Sequence, residues 1–150
     1  LVIKPEVSTL YHRHKLGDLK LEKARILIVD DLPSARKILR RLLESIGLSD
    51  ITEAVSGEAA LKQIEQTEFS LIISDWQMPK MNGLELLQHL RQRPSKADIP
   101  FLFITSASSK TDVRAAFEGG VRDYLTKPFT AQLLENKVLE LLKAKHAPSH

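Results

Sequence analysis

Three aspartates, a threonine and a lysine stand out because each follows or closes a short apolar run. Asp30 and Asp31 come after Ile26-Leu27-Ile28-Val29, and Asp75 ends the run begun by Leu71-Ile72-Ile73. Thr105 follows Phe101-Leu102-Phe103-Ile104, and Lys127 lies just past Tyr124-Leu125. If these runs are neighbouring strands of a parallel sheet, their carboxyl ends share one edge, and open α/β sheets bind ligands at that edge. Three carboxylates gathered there repel one another and push at least one of them toward its protonated form unless a cation intervenes. Oxygen donors with no Cys or His beside them favour Mg²⁺, which keeps waters and completes its shell with phosphate oxygens. Lys127 adds a point charge and Thr105 a hydroxyl. Together they describe a phosphoryl site, with a carboxylate placed to form an aspartyl phosphate.

The elements that must position these groups are readable from periodicity. Arg25 to Val29 is β-branched and apolar, a strand. Pro33 suits the first turn of a helix, and Ala35, Ile38, Leu39, Leu42, Leu43 and Ile46 recur at helical spacing until Gly47 stops them. Ile51 to Val55 is a short strand, and Ser56-Gly57-Glu58 opens a second helix through Ala59, Ala60, Leu61 and Ile64. After the strand ending at Asp75, Pro79 and Asn82-Gly83 make a turn, and Leu84, Leu87 and Leu90 mark a third helix. A fourth strand runs from Phe101 to Thr105. A fourth helix is expected at about 111–118, closed by Gly119-Gly120. Asp123-Tyr124-Leu125 is the last strand. Thr130 caps the last helix, with Leu134, Val138, Leu141 and Leu142 as its stripe. Five strands alternating with five helices predict an α/β fold, a doubly wound parallel sheet with helices on both faces.

The chain's 150 residues are one domain in size, with 43% hydrophobic and 27% charged residues. The absence of Cys excludes disulfides and thiol chemistry. No apolar run approaches a membrane span and none resembles a signal peptide, so a cytoplasmic protein without membrane insertion is expected. The net charge of +3 sits entirely in residues 1–25, where six basic side chains face three acidic ones. Residues 1–24 lack a clean period and are expected to be a linker or flexible arm; 25–143 form the domain, and 144–150 a disordered tail. Arg36, Lys37, Arg40 and Arg41 suggest a basic patch on the first helix, best explained by solubility or by docking of an acidic protein surface. No aromatics interleave with it, so direct nucleic-acid binding is not expected.

The segments Ile28-Val29-Asp30-Asp31, Asp75 to Gly83, Thr105-Ser106-Ala107 and Tyr124 to Phe129 resemble, in order, the motifs of the receiver domain of two-component response regulators. The resemblance covers roughly residues 25–143. It implies a flavodoxin-like sheet of order 2-1-3-4-5 and a phosphorylation-dependent switch. It implies Asp75 as the phosphoacceptor, supplied by a sensor histidine kinase or histidine phosphotransfer protein. It implies Mg²⁺ held by Asp30, Asp31, Asp75 and the backbone carbonyl of Gln77, with Thr105 and Lys127 on the phosphoryl oxygens. Thr105 and Tyr124 are implied as the switch pair. They would repack the face formed by the fourth helix, last strand and last helix for a downstream protein target. The resemblance also raises the expectation of a cis Lys127-Pro128 bond.

Each residue has a plainer role to weigh against this one. Asp30 could cap the first helix, Thr105 could be an ordinary strand-end hydroxyl, and Lys127 a solvated surface lysine. Trp76 is expected to lie partly exposed beside the site. A phosphatase or mutase working through an aspartyl phosphate would commonly carry a second acid two residues after the nucleophile. Gln77 stands there, so an enzyme acting on small substrates is disfavoured; only self-catalysed phosphorylation and dephosphorylation are expected. Ala107 cannot bond an attacking water and offers dephosphorylation no help. The remaining alternatives are a receiver excised from a larger hybrid kinase or regulator, and a phosphate-independent interaction module.

Overall fold

The computed structural model describes residues 21–106 and 123–146. A 3-10 turn, Leu21–Lys23, leads into β1 (Arg25–Val29), α1 (Pro33–Ser45), β2 (Asp50–Ala54), α2 (Gly57–Gln66) and β3 (Leu71–Asp75). Then come α3 (Gly83–Arg91), β4 (Phe101–Ser106), β5 (Tyr124–Lys127) and α4 (Ala131–His146). The five strands are parallel, in the order β2-β1-β3-β4-β5.

Successive side chains of a strand point to opposite faces, and β1 is apolar on both. Ile26 and Ile28 join Leu39 and Leu43 of α1 and Leu134, Val138 and Leu142 of α4 in one core layer. Leu27 and Val29 join Ala60 and Ile64 of α2 and Leu86 and Leu90 of α3 in the other. The sheet is thus covered on both faces, as a continuous apolar strand requires.

Local chemistry sets the helix ends. Pro33 occupies the first turn of α1. Gly47, at φ 103°, lets the chain turn back after α1. Its N–H bonds the Glu44 carbonyl at 3.1 Å, and the Leu48 N–H bonds that of Leu43 at 3.1 Å, a complete Schellman motif. Ser56 caps α2 through the Ala59 N–H. Asn82 and Glu85 form a reciprocal capping box on α3. Thr130 Oγ1 accepts from the Leu133 N–H at 3.1 Å at the start of α4.

The structure departs from the sequence expectations in several places. Ile38, assigned to the apolar stripe of the first helix, is 58% exposed, because the stripe facing the sheet runs through Leu39 and Leu43 instead. On α3 the fully buried leucines are Leu86 and Leu90, while Leu84 and Leu87 are only partly covered. Leu21 and Ala24, within the stretch read as an arm, are core residues. The last helix continues past Lys143 to His146. The helix expected at about 111–118, Gly119-Gly120 and Ala107 lie outside the described residues. Among the described residues, no helix is long and apolar enough to cross a membrane.

Candidate functional site

The strand order decides where a site can form. From β1 the chain goes to β2 on one side, and β3 then pairs with β1 on the other. The carboxyl ends of β1 and β3 therefore flank a crevice, the general ligand position for this strand order. Asp30 and Asp31 leave β1 there, and Asp75 is the last residue of β3.

Asp30 is 2% exposed. Its N–H extends the ladder to the Ala54 carbonyl at 3.2 Å, and its Oδ1 accepts the Leu32 N–H at 2.9 Å. It does not cap the helix: the N-cap of α1 is Leu32, which makes no side-chain cap bond. The other oxygen, Oδ2, faces Lys127 Nζ at 4.0 Å, and Asp75 Oδ1 lies 3.7 Å from the same nitrogen. One carboxylate oxygen each from Asp30, Asp31 and Asp75 falls within 4.8 Å of the others.

Electrostatically the cluster is under-compensated. Burial, above all, pushes the Asp30 carboxyl above its usual range, against the opposing pull of the Leu32 N–H and Lys127. Asp75 is also pushed up, first by burial and then by the charge of Asp30, with Lys127 opposing. One ammonium faces Asp30 and Asp75, and Asp31 adds a third carboxylate beside them. A hard divalent cation fits this deficit and this all-oxygen donor set, and it would relieve the repulsion that adds to burial in raising both carboxyls.

The remaining predicted residues take graded positions. Register aligns Asp75 with Ile104, Thr105 with Thr126, and Ser106 with Lys127, so Thr105 and Lys127 reach the edge occupied by Asp75. Thr105 is 1% exposed, and its hydroxyl lies at 3.5 Å from the Ser106 carbonyl. Gln77 is exposed and lines an open cleft of about 480 Å³ with Trp76, Met78, Pro79 and Asn82. Tyr124 starts β5, pairs with Phe103 and packs half-buried against the α2–α3 layer. The Lys127-Pro128 bond is cis.

Two expectations about neighbours are corrected. Trp76 is 6% exposed rather than partly open. Its ring lies 4.8 Å from that of Phe103, inclined at 55°, so its large apolar surface belongs to the α3-side core. The four basic residues of α1 do not form one patch. Arg36 and Arg40 fold onto Glu53, leaving Lys37 and Arg41 exposed.

Sequence reasoning undervalued Gly83. Its N–H bonds the Trp76 carbonyl at 2.8 Å. A Cβ there would lie 2.5 Å from the Asp75 carbonyl oxygen and 2.9 Å from the Phe103 ring. Asn82-Gly83 read as a turn, but the glycine is required because α3 begins against the backbone of Asp75. Glu53 was also missed, since one acidic residue in a strand carries no motif.

Residues 26–139 match the family model described as the response regulator receiver domain. The chain is 34% identical over 119 residues to a chemotaxis protein CheY of Pseudomonas aeruginosa, covering 79% of this chain and 96% of that protein. It is 36% identical to a CheY homolog of Campylobacter jejuni, covering 79% and 92% of the two chains. Among solved structures, the signal receiver domain of a signal transduction histidine kinase from Syntrophus aciditrophicus superposes with a TM-score of 0.76 at 34% identity, covering 85% of this chain and 96% of that one.

Proposed function

Since the chain belongs to the response regulator receiver domain family and is a phosphorylation-dependent signalling switch, we propose that Asp75 is its phosphoacceptor. The phosphoryl group comes from a phosphohistidine on a sensor histidine kinase or histidine phosphotransfer protein. Family members are signalling proteins rather than enzymes acting on small substrates. The observation that carries the assignment is the placement of Asp75. It shares the carboxylate cluster and faces Lys127 at 3.7 Å, yet its side chain is 13% exposed against 2% for Asp30. Of these two carboxylates, it is the one a donor can reach.

In this mechanism a carboxylate oxygen of Asp75 attacks phosphorus, the O–P bond forms, the N–P bond breaks and the donor imidazole leaves. Lys127 pairs with the phosphoryl oxygens, and the Thr105 hydroxyl donates to one of them. Asp30, Asp31, Asp75 and the Gln77 carbonyl would hold Mg²⁺, which would supply the positive charge that lets an anionic phosphoryl group approach three carboxylates. Phosphorylation and its reversal are catalysed by the domain itself. Thr105 and Tyr124 then carry the change to the surface of β5 and α4, where a downstream protein binds. A cytoplasmic location is part of the same proposal. Similarity to a receiver domain of a histidine kinase supports a second reading, in which the same switch works within a larger signalling protein.

The test is intact mass after incubation with acetyl phosphate and Mg²⁺, and separately with a phosphohistidine donor. Gain of one phosphoryl group, absent with EDTA and in Asp75→Asn, is expected. No gain with either donor would turn the assignment toward a phosphate-independent binding module.

A further inference from the structure

The backbone carbonyl of Asp30 lies at the point where β1 gives way to the acidic turn. It accepts from Arg36 Nη1 at 2.6 Å. The same guanidinium donates through Nε to Glu53 Oε1 at 2.9 Å. Glu53 Oε2 takes Arg40 Nε at 2.7 Å, and Arg40 Nη2 reaches the Ile51 carbonyl at 2.9 Å. Arg36 is nearly covered, with a side chain 12% exposed. Asp30 is therefore fixed at three atoms: its N–H by β2, its Oδ1 by the Leu32 N–H, and its carbonyl by Arg36.

The third tie has a consequence for Asp31. The carbonyl of Asp30 and the nitrogen of Asp31 lie in one rigid peptide plane. A guanidinium that holds that carbonyl also sets the direction in which Asp31 leaves the strand. The planar fork suits this task because one side chain bonds two acceptors in fixed directions.

We propose that Arg36, oriented by Glu53, is a positioning residue for the Asp30–Asp31 pair and sets how tightly the pocket takes its divalent cation. This rests on the metal site proposed above. Charge and positioning make opposite demands on Arg36. As a cation near carboxylates it weakens binding of another cation, so by charge alone its removal tightens Mg²⁺. As the holder of the Asp30–Asp31 peptide, its removal loosens Mg²⁺. Partners that orient metal-ligating groups typically contribute tenfold or more to metal affinity.

The experiment titrates Mg²⁺ into the full chain, reading the emission of Trp76, the only tryptophan and the neighbour of Asp75. Thermal midpoints with and without Mg²⁺ give a second readout. Arg36→Gln is expected to raise the half-saturating Mg²⁺ concentration roughly tenfold, with phosphorylation recovering at saturating Mg²⁺. Arg36→Lys is expected to weaken binding in the same direction, because a point charge does not bridge both acceptors. It carries the test if Arg36→Gln does not fold. Arg40→Gln, which removes a neighbouring charge without touching Asp30, should leave half-saturation unmoved. Glu53→Gln should add nothing in the Arg36→Gln background. Unchanged or tighter Mg²⁺ binding in Arg36→Gln, or equal weakening in Arg40→Gln, would overturn the proposal. A wild-type chain that shows no Mg²⁺ response would overturn the metal site itself, and this role of Arg36 with it.

Discussion

Two clusters of ionisable groups meet at Asp30 and behave in opposite ways. In the pocket, Asp30 and Asp75 share Lys127 with Asp31 close by, and the carboxyls of Asp30 and Asp75 are held above their usual range. At the adjoining corner, Glu53 is shared by two arginines, and its carboxyl is held below the usual range, chiefly by the Arg40 hydrogen bond with Arg36 helping. One cluster is short of positive charge; in the other, Arg36 and Arg40 are matched by Glu53 and Glu44. A charge deficit in a crevice leaves a place for a cation and a phosphoryl group to add stability. A matched cluster has nothing to gain from a ligand and serves the scaffold.

The largest expected effect breaks the geometry beneath the pocket. Gly83→Ala places a methyl against the Asp75 carbonyl and the Phe103 ring. It should cost roughly 2–3 kcal/mol in urea unfolding and slow phosphorylation from acetyl phosphate. Wild-type stability in this variant would show that α3 gives way easily at its start.

Next comes the matched corner. Glu53→Gln removes a carboxylate bonded by two guanidinium groups and should cost about 1.5 kcal/mol near neutrality. Because the folded-state carboxyl of Glu53 is lowered, its stabilisation is complete above the ordinary value of 4.5 and is lost as pH falls through the lowered value. The stability gap between wild type and Glu53→Gln should therefore close in acid. Urea midpoints at neutral pH and at about pH 3 measure it, and a gap that persists at the lower pH would mean the loss is one of packing.

The pocket should respond with the opposite sign. In EDTA near neutral pH, Asp75→Asn removes one of three mutually repelling carboxylates and should stabilise the fold by about 1 kcal/mol. The raised carboxyls give up stability as pH rises through their folded values, so this gain belongs to neutral and not to acid solution. Calorimetry with added Mg²⁺ should narrow the difference by stabilising the wild type. A destabilised Asp75→Asn would show that Lys127 fully compensates the cluster.

The smallest effect lies in the loop after Asp75. Lys80 has φ 68°, and the Met81 N–H bonds the Pro79 carbonyl across it at 2.8 Å. A side chain is unfavourable in that conformation. Lys80→Gly should stabilise by about 0.5 kcal/mol, the relief being offset by glycine's greater unfolded-state freedom. Paired thermal melts suffice to detect its sign.

The acidic pocket was legible in the sequence, and the matched corner was not. Asp30, Asp31, Asp75, Thr105 and Lys127 announce themselves because each ends a run whose period identifies a strand, and strand ends in a parallel sheet converge. Arg36 and Glu53 are separated by a helix and a turn, and nothing local links them. Helical spacing grouped Arg36 with Lys37, Arg40 and Arg41 as one basic surface. The direction of each side chain from α1 divided them into two that reach β2 and two that face solvent. Trp76 was misjudged for the same reason: its sequence position beside a site does not say whether α3 covers it.

By itself the sequence determined the strand-and-helix rhythm, the helix start at Ser56, the cap at Thr130, the stop at Gly47, and the chemical character of the sheet edge. Those features depend on near neighbours along the chain, where period, backbone preference and capping act. The tertiary structure alone decided which carboxylates share Lys127, why residue 83 must lack a side chain, and how Glu53 ties Arg36 to the Asp30 carbonyl. These depend on distances between residues far apart in sequence, and only the packing of helices on the twisted sheet sets those distances.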